Sequence, residues 1–313
     1  MPTIWLIMTI FESILVFHSF VCSIFLLYLI SSSKCLHVYC RVYLLMMGFS
    51  MLLFASYGLS ILEYLLAGQP YSLNGTNSTV RTKVWEFIHE FATCLQSVSM
   101  LLFSVERATA NCYPRLYSSP KFHFLVEASI VVSILFSFAF SMSIHVYQQL
   151  IPPTFLMSLS DYLGLIILIS TWKSSRRNYR SSAGVASLGR RYQMSEIYSW
   201  TSTLLPAVAG ASIFKVMAMF PIWVWILLNL NEWQYGIANF LYNNILNAYV
   251  VIFPWVLIAR NKKLQKQILR KQPRVKPDYG ESLKGSVRTL EGKEISMRPS
   301  QNEYFDALQE SWR

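Results

Sequence analysis

Long apolar stretches alternate with short polar gaps along most of the 313 residues. Crossing about 30 Å of hydrocarbon takes about 20 residues of helix. Seven stretches have this length, and they cover Ile4–Ile30, Val42–Leu66, Trp85–Val105, Phe122–Tyr147, Thr154–Trp172, Trp200–Leu228 and Trp233–Ala259. Backbone groups in hydrocarbon must find their hydrogen bonds within the segment, so each stretch is expected to be an α-helix. The pattern predicts an all-α polytopic membrane protein, a seven-transmembrane helix bundle over residues 1–259.

Composition agrees with a lipid-embedded chain. Hydrophobic residues make up 54% of the sequence and charged residues 14%, whereas soluble domains carry about a quarter charged residues. The net charge of +11 does not indicate nucleic acid, because the excess lies at the ends of membrane segments and in the tail. We expect the lipid bilayer as the main surroundings and no nucleic-acid partner.

The basic residues lie mostly on one side of the predicted membrane. Of the 27 Lys and Arg residues, 24 lie in the first, third and fifth gaps and the tail. Arg81 and Lys83 lie in the alternate gaps, and Lys215 lies inside the sixth stretch. Asn74 and Asn77 begin two glycosylation sequons in the first of the alternate loops, and sequons are used only on the lumenal side. Since basic loops stay cytosolic, we predict a plasma-membrane protein with its N-terminus outside and its C-terminus in the cytosol.

The tail changes character twice. Residues 260–272 are basic, with Leu264, Ile268 and Leu269 at helical spacing, which predicts a cytosolic amphipathic helix on the inner leaflet. Residues 273–313 are mostly polar and charged, which predicts a disordered cytosolic tail.

Lys215 is the most informative single residue. It lies near the middle of the sixth stretch, where a charge is costly unless it faces the bundle interior and meets a partner. Its possible partners are Glu12, Glu90 and Asp161, and the sequence does not choose among them. Lys215 could contact a ligand, hold helices together, or extend toward a membrane interface.

The seventh stretch carries an amide stripe. Asn239, Asn243 and Asn247 recur every four residues, and this spacing places them on one helix face. Such amides either form hydrogen bonds between helices or line a pocket near the outside. We favour the first interpretation for Asn247. From polarity at membrane depth we predict an external small-molecule ligand and its binding residues, which are Glu90, Asp161, Lys215, Asn239 and Tyr242.

Glu106 and Arg107 close the third stretch at the cytosolic side. An adjacent acid and base there can form a charge lock that an activating movement breaks, or can serve only topology and solvation.

The long third inner loop, from Lys173 to Arg191, offers a basic surface to a cytosolic partner or enforces orientation. Pro206, Pro221 and Pro254 favour kinks in the sixth and seventh stretches.

Signatures of catalysis are missing from the sequence. It contains no HExxH, no GxSxG and no glycine-rich phosphate loop, so we expect no enzyme activity and no cofactor. Cys35, His37 and Cys40 supply three possible zinc ligands without an evident fourth, so we expect no metal site.

Three segments resemble the nematode serpentine chemoreceptors of the alpha, beta and epsilon classes, with the epsilon class closest. They are Leu36-His37-Val38-Tyr39-Cys40-Arg41, Val105-Glu106-Arg107-Ala108-Thr109-Ala110 and Leu188-Gly189-Arg190-Arg191-Tyr192-Gln193-Met194-Ser195-Glu196. The resemblance extends from the first stretch to Phe253-Pro254-Trp255, and Ile197 stands where the family usually has Asn.

The resemblance implies a G-protein-coupled receptor of chemosensory neurons, placed in the ciliary membrane, that signals to a heterotrimeric G protein. Glu106 and Arg107 would then form the charge lock, and the residues near the transducer would be Arg191, Tyr192, Gln193 and Glu196. Two features depart from the rhodopsin pattern. The second outer loop, 148–153, has no Cys for the usual disulfide, and Tyr249 precedes Pro254 where an Asn-Pro pattern is usual.

Two other classes of protein fit the same pattern. A ligand-gated seven-helix ion channel or transporter would have its N-terminus inside, so orientation separates it from a receptor. An interaction-only membrane scaffold would tolerate substitutions in the third inner loop without loss of second-messenger signals.

Overall fold

The computed structural model describes residues 3–33, 37–66, 80–117, 119–147, 149, 151–181, 188–228, 232–260, 265, 287–288 and 294–295. Within these ranges the chain forms nine α-helices: α1 (Thr3–Ser32), α2 (Val38–Phe54), α3 (Ser56–Leu66), α4 (Val80–Cys112), α5 (Pro114–Tyr117), α6 (Pro120–His145), α7 (Ile151–Ser181), α8 (Leu188–Leu228) and α9 (Glu232–Arg260). Seven spans among them are long and apolar enough to cross a membrane. The predicted all-α seven-transmembrane bundle is therefore confirmed.

The second span is made of two helices, which the sequence did not predict. α2 ends at Phe54 and α3 begins at Ser56, with Ala55 between them. The other spans are α1, α4, α6, α7, α8 and α9 in chain order. Because the chain crosses seven times, α1 begins and α9 ends on opposite faces, which we call the N-terminal face and the C-terminal face.

Helices α7 and α8 extend well past the predicted apolar boundaries. α7 continues to Ser181 and α8 begins at Leu188, so their polar ends project beyond the apolar segments at the C-terminal face. Hydropathy marks where hydrocarbon ends, and a helix can continue into water while its residues favour it. Pro206 and Pro221 lie inside α8 and Pro254 inside α9 without ending either helix.

Helix α4 lies at the centre of the bundle. It packs against α2, α6, α7 and α8, while α9 packs against α1 and α8. Phe103 of α4, Met47 of α2 and Phe253 of α9 are fully buried in the shared core. Large apolar side chains also cover the outside, as expected where the solvent is lipid.

One glycine sets the distance between α4 and α7. A Cβ added at Gly164 would lie 3.3 Å from the Leu101 Cα. The missing side chain lets the two backbones approach closely, as small residues do at membrane helix interfaces. This approach occurs one turn from Asp161 and Ser97, and it brings those two residues within hydrogen-bond reach.

A separate compact unit begins at Arg270. Within it, β1 (Val287–Arg288) pairs with β2 (Glu294–Ile295) in antiparallel fashion, with Val287 opposite Ile295. The predicted amphipathic helix over 260–272 and disordered tail over 273–313 lie almost entirely outside the described residues, and both stay predictions.

Candidate functional site

Three buried polar side chains from three helices meet near the middle of the bundle. Lys215 Nζ of α8 donates to Asp161 Oδ1 of α7 at 2.9 Å and to Ser97 Oγ of α4 at 2.6 Å. Ser97 Oγ in turn lies 3.2 Å from Asp161 Oδ2 and 3.2 Å from the Thr93 carbonyl oxygen, and it shares its single hydrogen between them. We call Ser97, Asp161 and Lys215 the central cluster, and each of the three is at most 6% exposed.

The central cluster is electrically neutral and well connected. Both oxygens of Asp161 accept a hydrogen bond, and Lys215 uses two of its three ammonium hydrogens within the cluster. A buried ion pair of this kind is tolerated because each charge is matched and hydrogen-bonded. It links α4, α7 and α8, so these helices cannot separate without exposing a charge to a low-dielectric interior.

Asp161 is thus the partner of Lys215, out of the three carboxylates that the sequence offered. Glu12 lies on α1 and has Oε1 buried without a hydrogen-bond partner. Glu90 lies seven residues before Ser97 on α4, about 10 Å along the helix axis. The sequence could not make this choice because it depends on which helices are neighbours.

A cavity of about 340 Å³ adjoins the central cluster between α7 and α8. It lies in the half of the bundle toward the N-terminal face. Its walls are mostly aromatic and aliphatic, and the lining residues are Phe155, Ser158, Leu159, Asp161, Tyr162, Ser212, Lys215, Val216, Met219, Phe220 and Trp223. An apolar pocket with a few convergent polar groups is the usual form of a small-molecule site.

The five predicted ligand residues do not all line this cavity. Asp161 and Lys215 line the cavity, whereas Glu90, Asn239 and Tyr242 do not. Glu90 lies farther toward the N-terminal face on α4, and the other two belong to α9. The sequence shows how deep each polar residue lies in its span, but depth does not reveal which face of a helix meets which neighbour.

The amide stripe of α9 makes hydrogen bonds within and between helices. Ser19 Oγ of α1 donates to Asn247 Oδ1 at 2.8 Å, as the interhelical interpretation of Asn247 anticipated. Asn243 Nδ2 donates to Asn239 Oδ1 at 3.3 Å, and Asn239 Nδ2 donates to the Tyr57 hydroxyl of α3 at 3.3 Å. These contacts tie α9 to α1 and α3, so the stripe has a structural role in the bundle.

A second polar cluster lies at the C-terminal face. Arg107 donates through Nε to Glu106 Oε2 at 2.6 Å and through Nη2 to Glu106 Oε1, so the pair is bidentate. Tyr117 of α5 donates its hydroxyl hydrogen to Glu106 Oε1 at 2.7 Å, and Arg107 Nη2 donates to the Tyr117 oxygen at 3.1 Å. We call Glu106, Arg107 and Tyr117 the arginine cluster; all three are buried.

His37 also contacts Tyr117 at the C-terminal face. The sequence gave no reason to place either residue beside Glu106 and Arg107. Tyr117 Oη lies 2.7 Å from His37 Nδ1. Because Tyr117 gives its single hydrogen to Glu106, His37 Nδ1 must carry the hydrogen of this contact. Burial raises the pKa of the Tyr117 phenol well above its ordinary value, and the negative charge of Glu106 adds to the effect. Pro114 at the start of α5 was a usable signal for this short helix.

Several predicted site residues lie outside what the structure describes. The side chains of Arg191, Tyr192, Gln193 and Glu196 are among them, although their backbone belongs to α8. Asn74 and Asn77 also lie outside the described residues. Within the described part of the chain, no group of three or more His, Cys, Asp or Glu side chains could hold a metal ion.

Comparison with known proteins gives the fold. No protein-family model matches the chain, and no curated protein matches it in sequence. Among solved structures, the crystal structure of squid rhodopsin is similar, with a TM-score of 0.68 and 13% sequence identity over 96% of this chain and 91% of that one. The chain therefore has a seven-helix fold similar to that of squid rhodopsin.

Proposed function

We propose that this chain is a chemosensory G-protein-coupled receptor that binds an external small molecule within the helix bundle and signals to a cytosolic heterotrimeric G protein. The observation that carries the proposal is the central cluster beside its cavity. A neutral ion pair linking α4, α7 and α8 borders a space of ligand size. Buried charges in a membrane bundle are costly, and they usually mark functional sites.

Helix α8 connects the proposed ligand site to the proposed G-protein surface. Lys215 lies in the half toward the N-terminal face, and Arg191 lies on the same helix near the C-terminal face, with Pro206 between them. A ligand that contacts Lys215 changes the balance of contacts that hold α8 against α4 and α7. It can shift the receptor only by its difference in affinity for the two arrangements of α8.

The proposed sidedness follows from the basic residues. The loops and tail that hold 24 of the 27 Lys and Arg would lie in the cytosol. The N-terminal face, with Asn74 and Asn77 in its first loop, would then lie outside. The cavity would open in the outer half of the plasma membrane, and the arginine cluster would face the G protein. The resemblance to nematode chemoreceptors supports a sensory cilium as the location.

Orientation gives the first test, because it separates a receptor from a channel with its N-terminus inside. Glycosidase treatment should lower the mass of the expressed chain, and the change should vanish in the Asn74→Gln/Asn77→Gln variant. A glycosylation tag placed after Arg313 should stay unmodified. Modification of that tag would contradict the proposal.

Signalling gives the second test. Cells that express the chain with a G protein should be screened with a panel of odorants, using intracellular calcium as the readout. An active odorant should lose its effect in the Asp161→Asn/Lys215→Met variant, which removes both charges together and so leaves neither unpaired. Ile213→Ala on the same helix does not alter the cavity and is the matched control. An unchanged response of the double variant would remove the central cluster from the site.

A further inference from the structure

The mouth of the cavity lies on the side of the bundle that faces lipid. Five of its lining residues are large apolar or aromatic side chains with 41–66% exposure. They are Phe155, Leu159 and Tyr162 of α7 with Val216 and Phe220 of α8. In a transmembrane bundle, a side chain exposed halfway along a span is exposed to hydrocarbon. The cavity thus opens sideways between α7 and α8.

The floor of the same cavity is polar and lies deep. Asp161, Lys215 and Ser212 are buried, in contrast to the residues at the mouth. Asp161 is ten residues from the start of α7 at Ile151, which is about 15 Å along the axis and close to the middle of a bilayer about 30 Å thick. A molecule entering from the lipid would therefore meet apolar walls first and the central cluster last.

The charge of the floor limits what can bind there. Lys215 and Asp161 neutralise each other, so a charged ligand would leave one net charge in a low-dielectric site. One ammonium hydrogen of Lys215 is not used within the central cluster and can be donated to an oxygen atom. The hydroxyls of Ser158 and Ser212 donate to the carbonyls of Thr154 and Val208 on their own helices, so their hydrogens are already engaged.

From these features we infer that the ligand is a small, neutral, lipophilic molecule with one oxygen acceptor, such as a ketone, ester or ether. It reaches the site from the bilayer, between α7 and α8, and accepts a hydrogen bond from Lys215. This inference deepens the proposed function, on which it rests, by naming the ligand class and its route. The volume of about 340 Å³ lies at the lower end of the range of about 300–1,000 Å³ for ligand sites, which favours a compact molecule.

Photolabelling of the purified full chain in lipid nanodiscs tests the ligand class. Three probes carry the same alkyl diazirine: an aliphatic ketone, the matching hydrocarbon and the matching carboxylate. The ketone should label the α7 and α8 peptides around the cavity about tenfold more than the carboxylate, and unlabelled ketone should compete. In the Asp161→Asn/Lys215→Met variant the ketone should label no better than the hydrocarbon. Equal labelling by ketone and carboxylate, or undiminished ketone labelling in the double variant, would overturn the inference.

A pair of tryptophan variants tests the route. Val216→Trp fills the mouth, whereas Ile213→Trp adds the same bulk to an exposed position of α8 that does not line the cavity. Val216→Trp should slow ketone labelling about tenfold, and Ile213→Trp should stay within about twofold of the unmodified chain. Matching thermal unfolding curves show that both variants are folded. Equal rates in the two variants would rule out entry between α7 and α8.

Labelling needs no G protein, so its outcome is independent of signalling. Saturable labelling by the ketone without G-protein activation would uphold the ligand class and refute the receptor function. The opposite outcome is also distinguishable. If the ketone does not label the chain, and an odorant response persists in Val216→Trp, the receptor function would be upheld and the inference about ligand and route refuted.

Discussion

The two buried charge clusters of this protein are built in opposite ways. Lys215 and Asp161 are separated by 54 positions, and Lys215 and Ser97 by 118. Glu106 and Arg107 are adjacent, and Tyr117 follows Glu106 by 11 positions. The central cluster therefore links three long helices, while the arginine cluster links one end of α4 to the four-residue helix α5.

The difference determines which movement would break each cluster. Opening the central cluster requires α8 to shift relative to α4 or α7, so a ligand in the adjoining cavity can bias it. Detaching α5 from the arginine cluster requires only that Tyr117 withdraw from Glu106 and Arg107, and the Glu106–Arg107 pair on α4 stays intact. The first suits the detection of a ligand, and the second suits a local restraint at the C-terminal face.

The largest expected effect is the loss of one charge of the central cluster. Asp161→Asn leaves Lys215 buried without a counter-charge, and we expect a loss of about 3–5 kcal/mol of stability. Thermal unfolding of the purified chain in nanodiscs measures it. The Asp161→Asn/Lys215→Met double variant should recover most of the loss. A double variant as unstable as the single one would show that the loss does not come from the unpaired charge of Lys215.

Removing the cation of the arginine cluster should cost less. Arg107→Met leaves the Glu106 carboxylate buried, but Tyr117 still donates a hydrogen bond to it. We expect a loss of about 2–3 kcal/mol in the same unfolding measurement. A loss larger than that of Asp161→Asn would show that the charges of the arginine cluster contribute more to stability than those of the central cluster.

A smaller effect should come from the link between α4 and α5. Tyr117→Phe removes the hydroxyl that Glu106, Arg107 and His37 share, and we expect a loss of about 1–2 kcal/mol. If the arginine cluster restrains the receptor, ligand-free G-protein activation in membranes should also rise. Tyr113→Phe is the matched control, because Tyr113 is 65% exposed and lies just before α5. Equal activation in the two variants would argue against a restraint.

The smallest effect should come from an uncharged bond between helices. Ser19→Ala removes the hydroxyl that contacts Asn247 and the Val16 carbonyl, and bonds between helices contribute about 0.6 kcal/mol in membrane bundles. Ser13→Ala on the same helix is the control, since Ser13 donates to the Thr9 carbonyl of α1. A loss in Ser19→Ala as large as that in the charge variants would mean that the buried charges do not contribute more to stability than an uncharged bond between helices.

The sequence predicted the spans well and their interruptions poorly. Hydropathy over about 20 residues identifies a membrane helix regardless of its neighbours, so all seven spans were found. The break at Ala55 has no proline, and although Gly58 follows within one turn, glycine was not a reliable signal because Gly210 lies inside α8 without a break. The short helix α5 begins with Pro114, which is a recognisable start signal, but four residues are too few to produce a hydropathy signal.

The candidate site was predicted in part. The depth of Lys215 and Asp161 within their stretches was readable, because a charge inside an apolar run stands out. Their pairing was not, because it depends on Gly164 letting α7 approach α4 and on α8 lying beside both. Tyr117 was not assigned a role because an isolated tyrosine near a membrane boundary has many possible positions.

The sequence by itself determined how many times this chain crosses a membrane, since transfer into hydrocarbon depends on each segment's own residues. The tertiary structure decided which carboxylate meets Lys215, where the cavity lies and that its mouth faces lipid. Lipid and the bundle interior are similarly apolar, so hydrophobicity does not mark the inward face of a membrane helix. Only the packing of the helices against one another assigns each face to lipid, to the core or to a ligand.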